Sequence, residues 1–489
     1  MSFVLELVKK AALIKMDDSF AFKVKESMLV GGLLSVFEKS RESLSRLTGG
    51  KLVLLGDIFA KLSFFCLLVL LAGLGLPQFA EGKEGLALIS LAASALYLMS
   101  RLWQAKTEEK AGFNLLDLAV GAYFTSNIIS TFASHYMVPS LKGLSKVVVY
   151  IITYFTIKTA LVQRKERLPW LIAFALLSGI AVSLYGLYQY KIGVAPLATW
   201  EDPSVENKGT RIYSTLGNPN LLAGYLLPLA PLALALGTTI WSTYIGRWQG
   251  LVRNLSLPMS FAVTALLALA IVLTGSRGGY LSIGGTAAFV LLALSFYFLS
   301  RKPKLIFPTL IGLGLMLAAG GLAVHFLAPS LETRILSIFA GSEHSSNAYR
   351  MHVWRASLAM FQDNWWLGVG PGNTAFRLAY GLYMKSGFDA LGTYCVPLEV
   401  GVETGLLGLF SAGAIILMCL SRAHLIFYSD SSYRYLALGL AAALVALMIQ
   451  GLVDTVFYRP QVHFIFWFVV AAISALSCTE IDKIRHPKD

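Results

Sequence analysis

Arg277 lies in a glycine-rich turn whose composition suits the binding of an anion. The turn has the sequence TGSRGG at residues 274–279 and lies between two long apolar segments. A charge at this position is costly unless it is paired or faces a polar cavity. An arginine beside glycines suits a phosphate or a carboxylate, because its planar fork donates two hydrogen bonds and the glycine backbone allows close approach. The alternative is an arginine that extends to the membrane surface and binds nothing.

The segment that follows Arg211 offers a second candidate site for an anion. Asn218 is suited to cap a helix whose first residue is Pro219, and Asn220 completes the sequence GNPN. The N–H groups at such a helix end could face a phosphate together with Arg211. The alternative is a capped helix without a ligand. We therefore take Arg211, Asn218 and Asn220 as candidate substrate-binding residues.

A long polar segment, residues 328–396, contributes a third arginine. Segments of this length between helices usually have a function. The pattern predicts that the segment is mostly helical, with one helix from about 345 to 362 and the turn GVGPGN at 368–373. Arg350 and Trp354 are four residues apart, so they share a face of that helix. Arg350 is therefore a candidate ligand for the anion, and the alternative is a solvated cation.

Several carboxylates lie within or beside apolar segments. Glu399 and Glu403 are four residues apart and can point to the same side of a helix. Two carboxylates can do acid–base chemistry if their pKa values differ, and Glu403 is a candidate catalytic residue; the alternative is that both pair with arginines. Asp117 and Asp454 could carry a proton or a sodium ion, and Arg459 could pair with Asp454. The histidines lack ligand spacing, and no ATP-binding loop occurs, so we expect no metal and no cofactor.

The elements that position these side chains must lie in a membrane. The chain has 489 residues, of which 56% are hydrophobic and 14% charged, and its mean hydropathy is +0.67. Soluble domains carry about 25% charged residues, so we expect neither a soluble enzyme nor a disordered or fibrous protein. The net charge of +13 is first a signal of membrane topology, and no nucleic-acid partner is needed to explain it.

Runs of about 20 apolar residues predict an all-α polytopic membrane protein with about twelve spans. Their predicted limits are 58–76, 84–102, 113–134, 147–163, 168–189, 219–240, 258–274, 279–300, 305–327, 397–420, 433–452 and 460–478. Lys and Arg are concentrated in the short segments on one side, so both termini are predicted to be cytoplasmic. The polar segments described above then face the periplasm.

The predicted spans divide the chain into three parts. A basic arm, residues 1–57, has no signal-peptide pattern; it is either amphipathic helix on the inner membrane surface or solvated chain. Residues 58–478 form the membrane domain, and 479–489 form a cytoplasmic tail.

Four motifs, taken in order, resemble those of the O-antigen ligase and polymerase superfamily. They are GNPNLLA at 217–223, TGSRGG at 274–279, GVGPGN at 368–373 and VETGLLGL at 402–409. The resemblance covers about residues 60–475, with a ligase-like core at about 168–478 and a periplasmic loop at 328–396. Two further segments, ATWEDP at 198–203 and LSIFAG at 336–341, are similar to the cyanobacterial IctB group, which is named for bicarbonate transport.

The resemblance implies a GT-C-like fold in the bacterial inner membrane. It also implies metal-independent transfer of a glycan from a polyprenyl-diphosphate carrier to an acceptor. Arg277 and Arg350 match arginines that hold the diphosphate in that family. The family has a histidine shortly before the tenth span, and counting back from Glu403 places Tyr394 at that position. A tyrosine with an ordinary pKa of about 10 is a poor base at neutral pH.

Three functions are therefore compatible with the sequence. The first is glycan transfer from a polyprenyl-diphosphate-linked saccharide, with Tyr394 and Glu403 as the candidate catalytic residues. The second is transport of bicarbonate, or a role that supports it. The third is a protein that binds a lipid-linked glycan without turning it over. Membrane lipids are expected partners in every case.

Overall fold

The computed structural model describes residues 51–76, 83–103, 112–194, 211–243, 249–301 and 345–485, with isolated residues between 304 and 311. The regular elements in these ranges are α-helices, which we number in chain order, and short 3₁₀ turns. The helices are α1 (Lys51–Gly73), α2 (Lys83–Trp103), α3 (Leu115–Ala133), α4 (Met137–Gln163), α5 (Leu168–Ile192), α6 (Pro219–Leu226), α7 (Leu229–Thr243), α8 (Gln249–Leu273), α9 (Arg277–Arg301), α10 (Ser345–Asp363), α11 (Asn373–Tyr380), α12 (Val396–Tyr428), α13 (Arg434–Gly451) and α14 (Pro460–Arg485).

The prediction of an all-α polytopic membrane protein is confirmed. Within the described ranges, 11 stretches are long and apolar enough to cross a membrane, and no residue there belongs to a β-strand. The predicted ninth span, 305–327, lies outside the described residues and stays a prediction, as do the segments 198–203 and 336–341. The predicted helix from about 345 to 362 is confirmed as α10.

The predicted span 219–240 is confirmed as Pro219–Thr243. It consists of α6 and α7, because the helix is interrupted at Leu227 and Pro228 and proline disrupts a helix interior. Two other helices extend further than predicted. Helix α4 begins at Met137, although its first residues include Lys142 and Lys146, because a helix can continue beyond the hydrocarbon layer. Helix α12 continues to Tyr428, because Arg422, at which the apolar run ends, is buried and donates to the Ser477 hydroxyl at 3.3 Å.

Helix α14 lies at the centre of the bundle. Of its most apolar stretch, 89% is buried within the protein, compared with 11% for α9. The sequence of α14 is apolar on all sides, which is typical of a helix surrounded by other helices; it packs against α4, α12 and α13. Helix α9 therefore lies at the edge of the bundle, where lipid would contact it.

One end of the bundle, which we call the site end, gathers the connections that carry the sequence motifs. These are the start of α6, the turn between α8 and α9, the start of α12, and the segment that joins α13 to α14. Their proximity is direct: a side chain on Gly278 would lie 3.0 Å from Val453, and one on Gly451 would lie 3.0 Å from Val396. Helices α10 and α11 lie at this end, against α12 and α4 respectively.

A buried ion pair joins α3 to α4 near the opposite end. Lys158 forms a salt bridge with Asp117, and the two side chains are only 2% and 1% exposed. The Tyr154 hydroxyl and the Asn114 N–H also donate to the Asp117 carboxylate, each at 2.7 Å. The suggestion that Asp117 carries a coupling ion is therefore not supported, because its oxygens are already bound by partners of opposite charge or polarity.

Candidate functional site

The start of α6 is capped as predicted, and Asn218 is the capping residue. The Asn218 side-chain oxygen accepts hydrogen bonds from the N–H groups of Asn220, at 2.8 Å, and Leu221, at 3.3 Å. These N–H groups are therefore used within the helix end. The predicted cap is thus confirmed, and the binding of substrate by Asn218 stays a prediction.

Arg211 connects the start of α6 to the turn between α8 and α9. Its Nε donates to the carbonyl oxygen of Thr274 at 2.8 Å, and one of its Nη atoms donates to the Asn220 side-chain oxygen at 3.3 Å. The Asn220 side chain also bonds to the Asp454 carboxylate. Arg211 is half-buried, and hydrogen bonds to two separate segments of the chain fix its position.

The turn that carries Arg277 lies against the end of α13. Arg277 is the first residue of α9 and is half-buried. The preceding residue, Ser276, accepts a hydrogen bond from the Gly279 N–H at 3.2 Å and so caps the helix. Gly278 packs closely against Val453. Helix α9, which begins at Arg277, therefore starts beside the segment that contains Asp454.

Asp454 lies at the centre of this arrangement. Arg350 forms a salt bridge with it at 3.7 Å, and the two side chains are 18% and 8% exposed. The Thr455 N–H donates to the carboxylate at 2.8 Å. Burial raises the pKa of Asp454, whereas Arg350, the Thr455 N–H, Arg211 and Asn220 each lower it.

We use the name arginine cluster for Arg211, Arg277, Arg350 and Arg459. Arg459 lies between Asp454 and α14, and its guanidinium would be 3.7 Å from a side chain placed on Gly217. Arg211 and Arg350 act directly on the Asp454 carboxylate, whereas Arg277 and Arg459 belong to the cluster through the neighbouring segments.

Tyr394 is close to the cluster, but its chemistry does not suit a base. Its ring centroid lies 5.8 Å from the Arg350 guanidinium, and its carbonyl oxygen accepts from the Trp354 indole at 3.4 Å. Burial raises the pKa of the Tyr394 phenol well above its usual value, and the charges of Tyr349 and Asp454 add to the increase. The hydroxyl therefore stays protonated at neutral pH.

The last two motifs are joined by backbone hydrogen bonds. The Val369 N–H donates to the Val402 carbonyl at 2.8 Å, and the Gly370 N–H donates to the Glu403 carbonyl at 3.0 Å. The Glu403 carboxylate accepts from the Gly372 N–H. The turn at 368–373 thus holds Glu403 in place.

This pairing is possible because α12 is broken at Gly405. Gly405 has φ +65° and ψ −163°, a conformation that essentially only glycine adopts. The break frees the carbonyl groups of Val402 and Glu403 from the helix, so the turn can bind them. A side-chain carbon on Gly405 would also lie 2.2 Å from the Trp366 carbonyl oxygen.

Replacing Gly405 with alanine is expected to lower the free energy of unfolding by about 1–3 kcal/mol through backbone strain alone. The steric conflict with Trp366 adds to this loss. Gly413→Ala in the same helix is the matched control, because nothing lies within 4 Å of the added carbon. Thermal unfolding in detergent measures both; equal midpoints for the two variants would contradict the role of the break.

The expected pairing of Glu399 and Glu403 with arginines is not what the described residues show. Arg350 pairs with Asp454, and Arg377 pairs with Asp389 at 3.1 Å on the exposed surface of the loop. Glu399 instead lies close to Glu403 and Asp454, so that their charges repel.

His352 contacts the Phe388 ring, with centroids 4.3 Å apart.

Three residues of the site were not among the sequence candidates. Gln450 is fully buried and donates to the Asn220 carbonyl at 2.8 Å; an amide within an apolar span four residues before Asp454 was a usable signal. Thr455 and Gly392 lie beside Glu399. No local sequence pattern predicts a role for Thr455 or Gly392, because each reaches Glu399 only through contacts between segments that are distant in the chain.

Fold and site together define a multi-pass helical membrane protein with an arginine-rich site at one end of its bundle. Residues 262–413 match the family model described as Wzy_C, O-antigen ligase. The matched segment includes Arg277, α10, the turn at 368–373 and Glu403. The match supports a relationship to the O-antigen ligase superfamily over this part of the chain. No curated protein matches the chain significantly.

Proposed function

We propose that the protein binds a polyprenyl-diphosphate-linked saccharide at the site end and transfers the glycan to an acceptor hydroxyl. The observation that carries this proposal is the convergence of Arg211, Arg350 and the turn of Arg277 around Asp454. Arg350 and Arg211 both act on the Asp454 carboxylate. Such a cluster suits an anion with several oxygens, because each arginine can donate to two of them.

The place of the cluster in the bundle suits a lipid carrier. Arg277 is at the beginning of α9, and only 11% of the apolar stretch of that helix is buried. A diphosphate held at the helix end would leave its polyprenyl chain free to lie along the apolar surface of α9. We propose that this end faces the periplasm of a bacterial inner membrane, in agreement with the distribution of Lys and Arg.

The cluster would also lower the barrier to transfer. When the bond between the sugar and the carrier breaks, negative charge develops on the departing diphosphate. Arginines that are already fixed in position stabilise that charge without reorganisation. Arg211 is fixed by Thr274 and Asn220, and Arg350 by Asp454.

Bicarbonate transport is the alternative, and the structure offers it less support. Import of an anion against an inside-negative potential costs about 2.3 kcal/mol per 100 mV, so it requires a coupled ion. Asp117 and Asp454 were the carboxylates suggested for that role, and they pair with Lys158 and Arg350. Binding of a lipid-linked glycan without turnover is the remaining alternative.

Mass spectrometry of the lipids that co-purify from native membranes tests the proposal. Polyprenyl-diphosphate saccharides are expected on the wild type and not on Arg277→Ala. Arg355→Ala is the matched control, because Arg355 is an exposed arginine of α10, and it should retain the carrier. Bulk phospholipid alone on all three proteins would contradict the proposal, and bicarbonate flux in proteoliposomes would then be measured. Bound carrier without any product would favour the non-catalytic alternative.

A further inference from the structure

Glu399 has a carboxylate oxygen that the rest of the site does not use. Its Oε2 atom is buried and has no hydrogen-bond partner among the described residues. The neighbouring carboxylates differ, because Glu403 accepts from the Gly372 N–H and Asp454 is held by Arg350. A buried, unpaired carboxylate oxygen is costly, so its retention at this place suggests that a substrate group completes it.

Gly392 determines how closely the chain approaches this oxygen. A side-chain carbon on Gly392 would lie 3.3 Å from Glu399 Oε2 and 2.8 Å from the Thr455 methyl group, so any larger residue would crowd the carboxylate. Thr455 directly follows Asp454 in the chain, so Glu399 Oε2 lies beside the segment whose carboxylate pairs with Arg350.

We infer that Glu399 is the general base that takes the proton from the acceptor hydroxyl, and that Gly392 leaves the Oε2 atom of Glu399 uncrowded. The inference rests on the proposed function. It assigns to Glu399 the proton transfer that the resemblance assigns to the residue at the position of Tyr394. The phenol of Tyr394 stays protonated and so cannot accept this proton.

In the transfer step one bond forms, one bond breaks and one proton moves. The acceptor oxygen forms a bond with the anomeric carbon of the sugar, and its proton moves to Glu399 Oε2. The bond between that carbon and the carrier oxygen breaks, and the diphosphate leaves with the electron pair, next to the arginine cluster. Glu399 then returns the proton to water.

Chemical rescue separates a base from a residue that only maintains the structure. The purified protein with its co-purified carrier lipid serves as the donor complex. We would measure two quantities, the carrier retained and the glycan released to water, with and without sodium azide. Azide is an anionic nucleophile that needs no deprotonation. Glu399→Gln is expected to retain the carrier and to release glycan about 10²–10⁴-fold more slowly, and azide is expected to restore the rate by forming the glycosyl azide.

The outcomes distinguish this inference from the proposed function. If the wild type holds no carrier, the proposed function fails. If Glu399→Gln retains the carrier and releases glycan at the wild-type rate, or is slow and is not rescued by azide, the role of Glu399 as the base is overturned. A larger loss in Tyr394→Phe than in Glu399→Gln would also overturn it.

Gly392→Ala provides a second test in case Glu399→Gln does not fold. This variant keeps the carboxylate and adds a carbon 3.3 Å from its free oxygen. It is expected to retain the carrier and to release glycan to water at least tenfold more slowly. An unchanged rate in this variant would overturn the inference independently of Glu399→Gln.

Discussion

Replacement of Asp117 with alanine is expected to destabilise the membrane domain by about 3–5 kcal/mol, because it leaves a buried lysine without its counter-charge. Lys158 is 2% exposed and forms a salt bridge with Asp117. The same change removes the acceptor of the Tyr154 hydroxyl and of the Asn114 N–H. Unfolding of the purified protein in detergent, followed by helix content against denaturant concentration, measures the effect.

Two variants control this prediction. Asp389→Ala breaks a pair whose side chains are 50% and 63% exposed, and it should change the free energy of unfolding by only about 0–1 kcal/mol. The double variant Asp117→Leu with Lys158→Met replaces the buried pair by apolar groups and should recover most of the loss. Similar losses for Asp117→Ala and Asp389→Ala would show that the pair is not important for folding.

Replacement of Arg211 with alanine is expected to reduce glycan transfer by about 10²–10³-fold, the effect of losing one fixed donor to a developing negative charge. The change also removes the hydrogen bonds to the Thr274 carbonyl and to Asn220. The turn that positions Arg277 then loses its connection to the start of α6. The rate of glycan release from the co-purified carrier, together with the amount of carrier retained, measures the loss.

Arg211→Lys separates the charge of this side chain from its shape. Lysine keeps the positive charge but cannot donate along the two directions in which the guanidinium bonds. We expect this variant to retain more carrier than Arg211→Ala while its rate stays well below that of the wild type. Arg377→Ala is the matched control, because Arg377 pairs with Asp389 on the exposed surface. A wild-type rate in Arg211→Ala would exclude Arg211 from the site.

The sequence was sufficient to predict the fold class, because long apolar runs are a strong signal for membrane helices. It was less informative at the helix ends. Residues 137–146 contain lysines and a proline, so a search for apolar runs excluded them, although α4 begins at Met137. A proline near the first turn is compatible with a helix, and tertiary contacts maintain the rest.

The candidate site shows a similar limit. The cap formed by Asn218 is a local interaction, so its pattern is visible in a short stretch of sequence. The ion pair of Arg350 with Asp454 joins residues that are far apart in the chain, and no local pattern predicts which arginine approaches which carboxylate. The pairing of Val369 with Val402 uses only backbone atoms, so side-chain types could not reveal it. Lys158 is buried within an apolar span, because Asp117 on a different helix neutralises it, and no local pattern identifies that partner.

The break at Gly405 relates the position of the carboxylates to the thickness of the bilayer. The part of α12 after the break, residues 406–428, is about 34 Å long at 1.5 Å per residue, close to the roughly 30 Å of hydrocarbon in a typical bilayer. The part before the break extends about 15 Å further and carries Glu399 and Glu403. A membrane with longer acyl chains would have to thin around the protein, or it would immerse these carboxylates in hydrocarbon. Bilayer thickness is therefore expected to change the depth at which Glu399 and Glu403 lie.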